Sequence, residues 1–462
     1  MTRDSDNRMD LAGKNLGVQN GSEVPARRAS VADTVAIIGK ALLPTFAGGV
    51  IKRRPSVLAV AQKFQLDALS VPLFQRLRRR YGPGPLRLRI PGRSIAVVLS
   101  DADAGRLLQG SPQPFSPSTV EKRAALSHFQ PHGVLISRGP VRAERREFNA
   151  TTLQADRPMH EIAGDVVAVV REEAGGLVDP SGGELDWDTF NRAWWRIVRR
   201  VTLGDLARTD EEVTDLLDNL RLDANWAYLH PQRRGRRRAF DARLRSYVDR
   251  AEPGTLAKLV ADTPVDDERV DAVGQIPHWL FAFDAAGMAA FRTLALLATH
   301  PAHAERARAD IEGLDADQPQ LMPYLRACLL DTVRLWPTTP AILRESTDET
   351  RWGTATLPAG TEFLIYTPFL HRDPETLPYA DVFEPGIWLD GTARTNPALV
   401  PFSAGPAQCP GRNIVLLVVS TLLAELLRQG RYELVSAPDL DPGEPIPATI
   451  DNFGLRFRTT PI

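Results

Sequence analysis

Cysteine is nearly absent: Cys328 and Cys409 are the two cysteines in 462 residues. Two thiols cannot build a disulfide framework, and they suit a reducing, cytoplasmic setting. Charge excess is missing too, with a formal net charge of −1. That removes any general attraction to nucleic acid or anionic lipid. No apolar run reads as a transmembrane anchor. The nearest, Val35 to Ile51, is interrupted by Lys40, Pro44, Gly48 and Gly49. Residues 1–30 lack the apolar centre of a signal peptide and read as a disordered tail. Residues 31–54 read as a lead-in packed on the body. The chain has no internal repeat and no glycine-rich nucleotide-binding fingerprint.

What is present centres on one loop, Pro401-Phe402-Ser403-Ala404-Gly405-Pro406-Ala407-Gln408-Cys409-Pro410-Gly411-Arg412. It runs into an apolar helix closed by Gly430. The turn residues hold Cys409 in front of a helix N-terminus, where exposed N–H groups favour negative charge, so the thiol is expected to ionise readily. A thiolate pinned in such a turn is what axial ligation of haem iron requires. Taken without its surroundings, the same residue is a buried structural cysteine.

The remaining pattern is helical with small sheets. Val71–Tyr81 reads as a helix, Leu86–Ile90 with Ile95–Leu99 as a hairpin, and Asp101–Leu108 as a short helix. Residues 109–135 read as a long irregular loop. Helices follow at Val141–Leu153, His160–Glu173, Trp187–Thr202, Asp210–Tyr228, Gly235–Ala251 and Asp266–Ala272. The arginines from Arg233 to Arg238 lack interleaved aromatics and read as a solvated loop. A long helix from Pro277 to His300, apolar on nearly all sides, must pass through the middle of the fold. Gly287 within it implies a close neighbour. A second buried helix, Met322–Leu335, ends at Trp336-Pro337, and short strands follow around Thr361–Tyr366.

Phe402, Gly405, Cys409 and Gly411 fit F-x-x-G-x-x-x-C-x-G, and the order of the pieces resembles the cytochrome P-450 family over residues 31–462. The resemblance implies a mainly α fold with small β-sheets, a single haem-thiolate domain, and a long central helix over the haem opposite the cysteine loop. It implies haem b held through Cys409. Asp331 and Arg334 match the family's E-x-x-R pair, with a shorter acid, and are read as structural. The arginine that completes this network in the family is replaced by Ile387, so the network is expected to be either incomplete or rewired, with Arg394 the candidate for rewiring. Arg344 matches a haem-propionate clamp. Counting W-x-x-x-R from Val141 makes Arg145 a second one. Ala407 stands where the family usually has a cation.

The long helix departs most. The family has A-G-x-[DE]-T-[TS] over the iron. Registering on His300-Pro301 puts Ala285 at the acid and Ala286 at the oxygen-handling threonine, with Gly287 next. Asp284 comes one residue early and is expected about 100° away, read chiefly as a partnered structural acid. The expected activity is monooxygenation of a small organic molecule, with electrons from a separate ferredoxin or flavin-containing reductase. Expected substrate contacts are residues 109–135, Phe283 to Met288, Thr339 to Ile342, and Asn452-Phe453. Two alternatives stay open: haem-thiolate chemistry without the usual relay, such as oxidative coupling, ring formation, dehydration or peroxide-driven oxidation, and a non-catalytic haem or ligand-binding protein.

Overall fold

Local capping signals start many of the helices. The computed structural model describes residues 24–438 and 440–462. Ser30, Ser100, Thr119, Asp186 and Thr255 each accept a backbone N–H from the first turn they precede, which satisfies a donor the helix leaves orphaned. The helices are α1 (Val31–Ile37), α2 (Leu43–Ala47), α3 (Pro55–Lys63), α4 (Ser70–Tyr81), α5 (Asp101–Gln109) and α6 (Val120–Leu126). The middle of the chain gives α7 (Pro140–Thr152), α8 (Ala163–Ala174), α9 (Trp187–Leu203), α10 (Glu211–Ala224), α11 (Arg234–Arg250) and α12 (Leu256–Asp262). Then come α13 (Ile276–Thr299), α14 (Pro301–Ile311), α15 (Pro323–Leu335), α16 (Thr367–Leu370) and α17 (Arg412–Gln429).

The strands are β1 (Arg27–Arg28), β2 (Leu86–Arg87), β3 (Ile95–Val97), β4 (Phe115–Ser116), β5 (Gly183–Asp186) and β6 (Ala341–Ser346). They continue with β7 (Thr350–Trp352), β8 (Ala355–Leu357), β9 (Glu362–Tyr366), β10 (Gly430–Leu434) and β11 (Arg456–Pro461). The main sheet runs β1-β2-β3-β9-β6-β4, a second runs β10-β11-β5, and β7 pairs with β8. In the main sheet Leu343 sits opposite Leu364, and Arg344 opposite Phe363.

The larger apolar core is built around α13, which packs on α9, α15 and α17. A smaller core lies against the main sheet. The helix Glu268–Thr299 is long and apolar enough to cross a membrane by composition, contrary to the expectation from sequence, but 83% of its apolar window is buried inside the fold. Its apolar surface is thereby accounted for by packing.

Five expectations need correction, the first being the loop expected at Arg233 to Arg238, where Arg234 to Arg238 instead open α11. The tail expected over residues 1–30 falls mostly outside the described residues, yet its end is ordered: Arg27–Arg28 pairs in parallel with Leu86–Arg87. Residues 109–135 are not wholly irregular, because Thr119 caps α6 and Phe115–Ser116 pairs with β6. Asp266–Ala272 forms only a 3₁₀ turn at Glu268–Val270, and the helix of this region is α12. Pro301 closes α13 and also opens α14, since proline is tolerated in a first helical turn.

Candidate active site

The cysteine loop is held by its own backbone. The N–H of Cys409 donates to the Phe402 carbonyl at 2.9 Å, and that of Gln408 to the Gly405 carbonyl at 2.9 Å. Gly405 has φ +66°, and a Cβ there would meet the Leu108 carbonyl oxygen at 2.4 Å. Only glycine fits both demands. Gly411 caps α17 directly after Cys409-Pro410, and Phe402 packs on the larger core. Cys328 is buried in α15, while Cys409 keeps accessible surface. Burial pushes the Cys409 thiol up, against the lowering effects of the Gly411 N–H, Arg146 and Arg412. Desolvation thus outweighs the helix-start effect expected to ionise the thiol.

Cations gather on this side of the fold. Arg146, on α7, donates to the Gln408 carbonyl at 2.7 Å. One turn earlier Arg142 is 8% exposed, and its buried Nε has no partner. Arg344, 3% exposed, donates to Ser111 Oγ at 2.8 Å and Ser403 Oγ at 3.3 Å. Burial pushes Arg344 down to about 10, and the charge of Arg142 adds to this. Neither guanidinium forms an ion pair among the described residues. Arg145, expected here, is turned away: it donates to the carbonyls of Val270 at 3.2 Å and Arg269 at 2.5 Å, and to Ser137 Oγ at 2.7 Å. One residue of helix rotation separates it from the face of Arg142 and Arg146.

In the first half of α13 the positions left partly open are His278, Phe281, Ala282 and Ala285, one face at i, i+3, i+4, i+7. Ala286 is buried beside it. Gly287 is buried under Trp194: a Cβ would lie 2.5 Å from the indole nitrogen, which donates to the Phe283 carbonyl at 3.0 Å. The close neighbour implied by this glycine is thus a core tryptophan. A residue that must face the pocket belongs at an open position, so the threonine's place is Ala285, not Ala286. The acid's place then falls on Asp284. The open face thus favours a register one residue earlier than the count from the helix end. Phe283 and Met288 are core residues, not pocket contacts. Asn452 and Phe453 likewise pack inward, on Arg292 and Trp187.

Asp284 is buried and accepts from Arg221 Nη2 at 2.5 Å. Arg221 also reaches Asp218 at 3.0 Å and the Ile51 carbonyl at 2.9 Å. Burial raises the Asp284 pKa, but Arg221, Lys52 and Arg53 outweigh it and hold the carboxyl below its usual range.

Asp331 and Arg334 are fully buried and form a bidentate pair, Nε to Oδ1 at 2.6 Å and Nη2 to Oδ2 at 3.1 Å. Arg334 also donates to the carbonyls of Ala380 at 2.9 Å, His371 at 3.3 Å and Val382 at 2.6 Å. Asp331 accepts from the Glu384 N–H at 2.7 Å and from Trp388 Nε1 at 3.1 Å. Trp388, not Arg394, completes the network. Two cavities of about 500 and 480 Å³ lie elsewhere, one beside His300 and Phe383 and one beside Arg53 and Arg372, and neither touches the cysteine loop.

A helical body threaded by one long buried helix, with a cysteine loop ahead of another, defines the haem-thiolate class. Residues 283–450 match the family model Cytochrome P450, which places that segment in the cytochrome P450 family. It is 34% identical to Cytochrome P450 4c3 of Drosophila melanogaster over 182 residues, 37% of this chain and 34% of that protein. Against human Cytochrome P450 4A11 it is 36% identical over 156 residues, 32% of this chain and 29% of the relative. The chain thus matches about a third of the length of these curated relatives. In solved structures, a retinoic acid bound cyanobacterial CYP120A1 superposes with TM-score 0.68 at 20% identity, covering 85% of this chain and 95% of that one. Cytochrome P450 CYP102L1 gives 0.67 at 18%, covering 85% and 98%. These likenesses carry the fold beyond the matched segment.

The family implies a haem, and the residues present fit one. Cys409 offers a thiol with open surface, and Arg142 with Arg344 offers two buried cations that lack an anion. Haem carboxylates would supply that charge.

Proposed function

We propose that this chain is a haem b thiolate monooxygenase acting on a small organic molecule. The observation that carries the reading is Cys409 in its glycine-locked turn beside two uncompensated guanidiniums, Arg142 and Arg344. A bound haem supplies dioxygen activation at its iron, with the thiolate as electron-donating ligand. In the reaction one oxygen atom enters a substrate C–H bond to give an alcohol, and the other leaves as water with two protons and two electrons. The protein's share is to hold the cofactor through Cys409, Arg142 and Arg344. It also encloses the substrate against the open face of α13 and limits water there.

The electrons come from a separate ferredoxin or flavin-containing reductase. Arg146, Arg326, Arg394 and Arg412 surround the cysteine side without an ion pair among the described residues, which supports an acidic docking partner. The two free cysteines support a reducing, cytoplasmic setting. The second reading, haem-thiolate chemistry without the usual relay, is favoured by one specific feature: the partly open position 285 of α13 carries alanine, not a hydroxyl.

The carbon-monoxide complex of the reduced protein tests the ligand. It is expected to absorb at the position typical of thiolate ligation, and Cys409→Ala is expected to abolish the band. Loss of the band in Cys328→Ala instead would overturn the assignment. Dioxygen uptake coupled to NAD(P)H through surrogate donors, with product formation, separates monooxygenation from ligand binding alone.

A further inference from the structure

The cavity of about 480 Å³ shares no lining residue with the cysteine loop or with the open face of α13. It lies between the N-terminal helices α2 to α4, the turn after α15 and residues 445–450, and three arginines line it: Arg53, Arg292 and Arg372. Arg372 is satisfied within the protein. It pairs with Asp381 at 2.6 Å and donates to the Pro447 carbonyl at 2.8 Å. The other two keep donors in hand, since a guanidinium carries five N–H groups. Arg53 uses two of them, on the carbonyls of Gly49 at 3.1 Å and Thr338 at 2.9 Å. Arg292, 6% exposed, also uses two, on the Trp336 carbonyl at 3.4 Å and Asn452 Oδ1 at 2.9 Å. Its Nε is buried without a partner. Trp336 and Thr338 are two residues apart, so both guanidiniums are fastened to one turn.

Neither Arg53 nor Arg292 forms an ion pair among the described residues. The carboxyl that lines the cavity with them, Asp67, accepts from Thr449 Oγ1 at 2.9 Å, and burial pushes it up. Asp381 is the partner of Arg372, and Asp451 acts on Arg292 without pairing with it. Burial pushes Arg292 down to about 9, and the charge of Arg53 adds to this. A buried cation without an anion is expensive, so a ligand that brings one gains the difference.

Much of the remaining wall is apolar, including Leu58, Val71, Pro337, Pro340 and Ile450. The volume falls in the range of small-molecule sites, about 300–1,000 Å³, and far exceeds what one inorganic oxyanion fills. The fitting ligand therefore joins an anionic head to an apolar body. One guanidinium fork satisfies a carboxylate, whereas the three terminal oxygens of a phosphate group can accept from two.

We propose that this cavity is a second binding site, separate from the haem pocket, that takes a phosphate monoester. Arg53 and Arg292 hold the phosphate, and Leu58, Val71 and Ile450 cover the apolar body. The site goes beyond the monooxygenase reading and does not depend on it.

The test is calorimetric titration of the haem-loaded protein with 1-naphthyl phosphate, inorganic phosphate, 1-naphthoic acid and 1-naphthol, with the Soret band followed in parallel. 1-Naphthyl phosphate is expected to bind at least ten-fold more tightly than each of the other three and to leave the Soret band in place. Arg53→Gln and Arg292→Met are each expected to weaken it at least ten-fold. Ala68→Trp is expected to do the same by filling the cavity from an exposed position on its wall. It disturbs no buried charge, so it decides the matter even where an arginine variant fails to fold. No binding of 1-naphthyl phosphate overturns the proposal. Equal binding of inorganic phosphate or 1-naphthoic acid overturns the monoester as the ligand. Binding that survives Ala68→Trp, or that shifts the Soret band, puts the ligand elsewhere and overturns the site.

Discussion

Trp388 donates its indole N–H to Asp331 Oδ1 at 3.1 Å, so a neutral donor stands where the family places a guanidinium. Arg334 already neutralises the same carboxylate through two hydrogen bonds. A hydrogen bond to a buried charged group is worth roughly 1.5–3 kcal/mol. Trp388→Phe is expected to lower thermal stability by about that amount while the protein still loads haem. Arg334→Ala leaves Asp331 buried and unpaired, at a cost of roughly 3–5 kcal/mol, and is expected to give poorly folded, haem-depleted protein. Thermal unfolding with parallel haem content checks both. A fully loaded, stable Arg334→Ala that merely turned over slowly would contradict the structural role.

Arg142 and Arg145 offer a direct contrast on one helix. Arg142 has an unpartnered Nε and its charge acts on Arg344, whereas Arg145 is satisfied by carbonyls of a neighbouring turn. Arg142→Leu is expected to speed haem transfer to an apo-globin acceptor several-fold or more. Arg145→Leu is expected to loosen the Glu268–Val270 turn and leave the transfer rate within about two-fold. Reversal of that order would restore Arg145 as the carboxylate clamp.

Glu362 and Glu121 act on one another, and the charges of Arg93 and Lys122 act on Glu362. Burial and the Glu121 carboxylate raise the Glu362 pKa from 4.5 to about 9. In the folded protein it therefore holds a proton that the unfolded chain gives up. Between about pH 4.5 and 9 folding takes up that proton, so its contribution to stability falls as pH rises across the window. Glu362→Gln keeps a hydrogen-bond donor without the proton uptake. Its melting temperature relative to native is expected to rise progressively above pH 5 and to show no advantage near pH 4. A difference independent of pH would sink this account.

The parts of the fold set by strong periodicity and by glycine or proline punctuation were legible in the sequence. These include α13, α15, α17, the hairpin of β2 and β3, and the loop holding Cys409. What escaped depends on rotation by a single residue. Val141 and His300-Pro301 were natural marks to count from, yet each count landed one position off the face that matters. Sequence spacing fixes a helical angle only to within 100°, and the packing partner decides which face is buried. Trp194 against Gly287 settles α13, and the carbonyls of Val270 and Arg269 settle α7. The role of Trp388 carried no signal at all, because a tryptophan after Ile387 reads first as an apolar residue.

The last prediction concerns how protons reach the space above the haem. Ala285 takes the open position where the family carries a threonine, and the adjacent carboxyl of Asp284 is held by Arg221 at 2.5 Å. A positioned proton donor typically contributes 10²–10⁴-fold in rate, so its absence should show as poor coupling. Ala285→Thr places a hydroxyl on the open face beside Asp284. Peroxide released per NAD(P)H consumed is expected to fall several-fold with any substrate that lacks its own donor near the reacting carbon. Ala286→Thr adds atoms at a buried position, which typically costs 1–3 kcal/mol, and is expected to leave coupling unchanged. Asp284→Asn separates the two roles of the acid. As the partner of Arg221 it is expected to cost roughly 3–5 kcal/mol in stability, with turnover of the folded fraction within ten-fold of native. A hundred-fold loss of turnover with little change in melting temperature would make Asp284 the proton carrier, released from Arg221 during the cycle. Better coupling from Ala286→Thr than from Ala285→Thr would return the register to the count from the helix end.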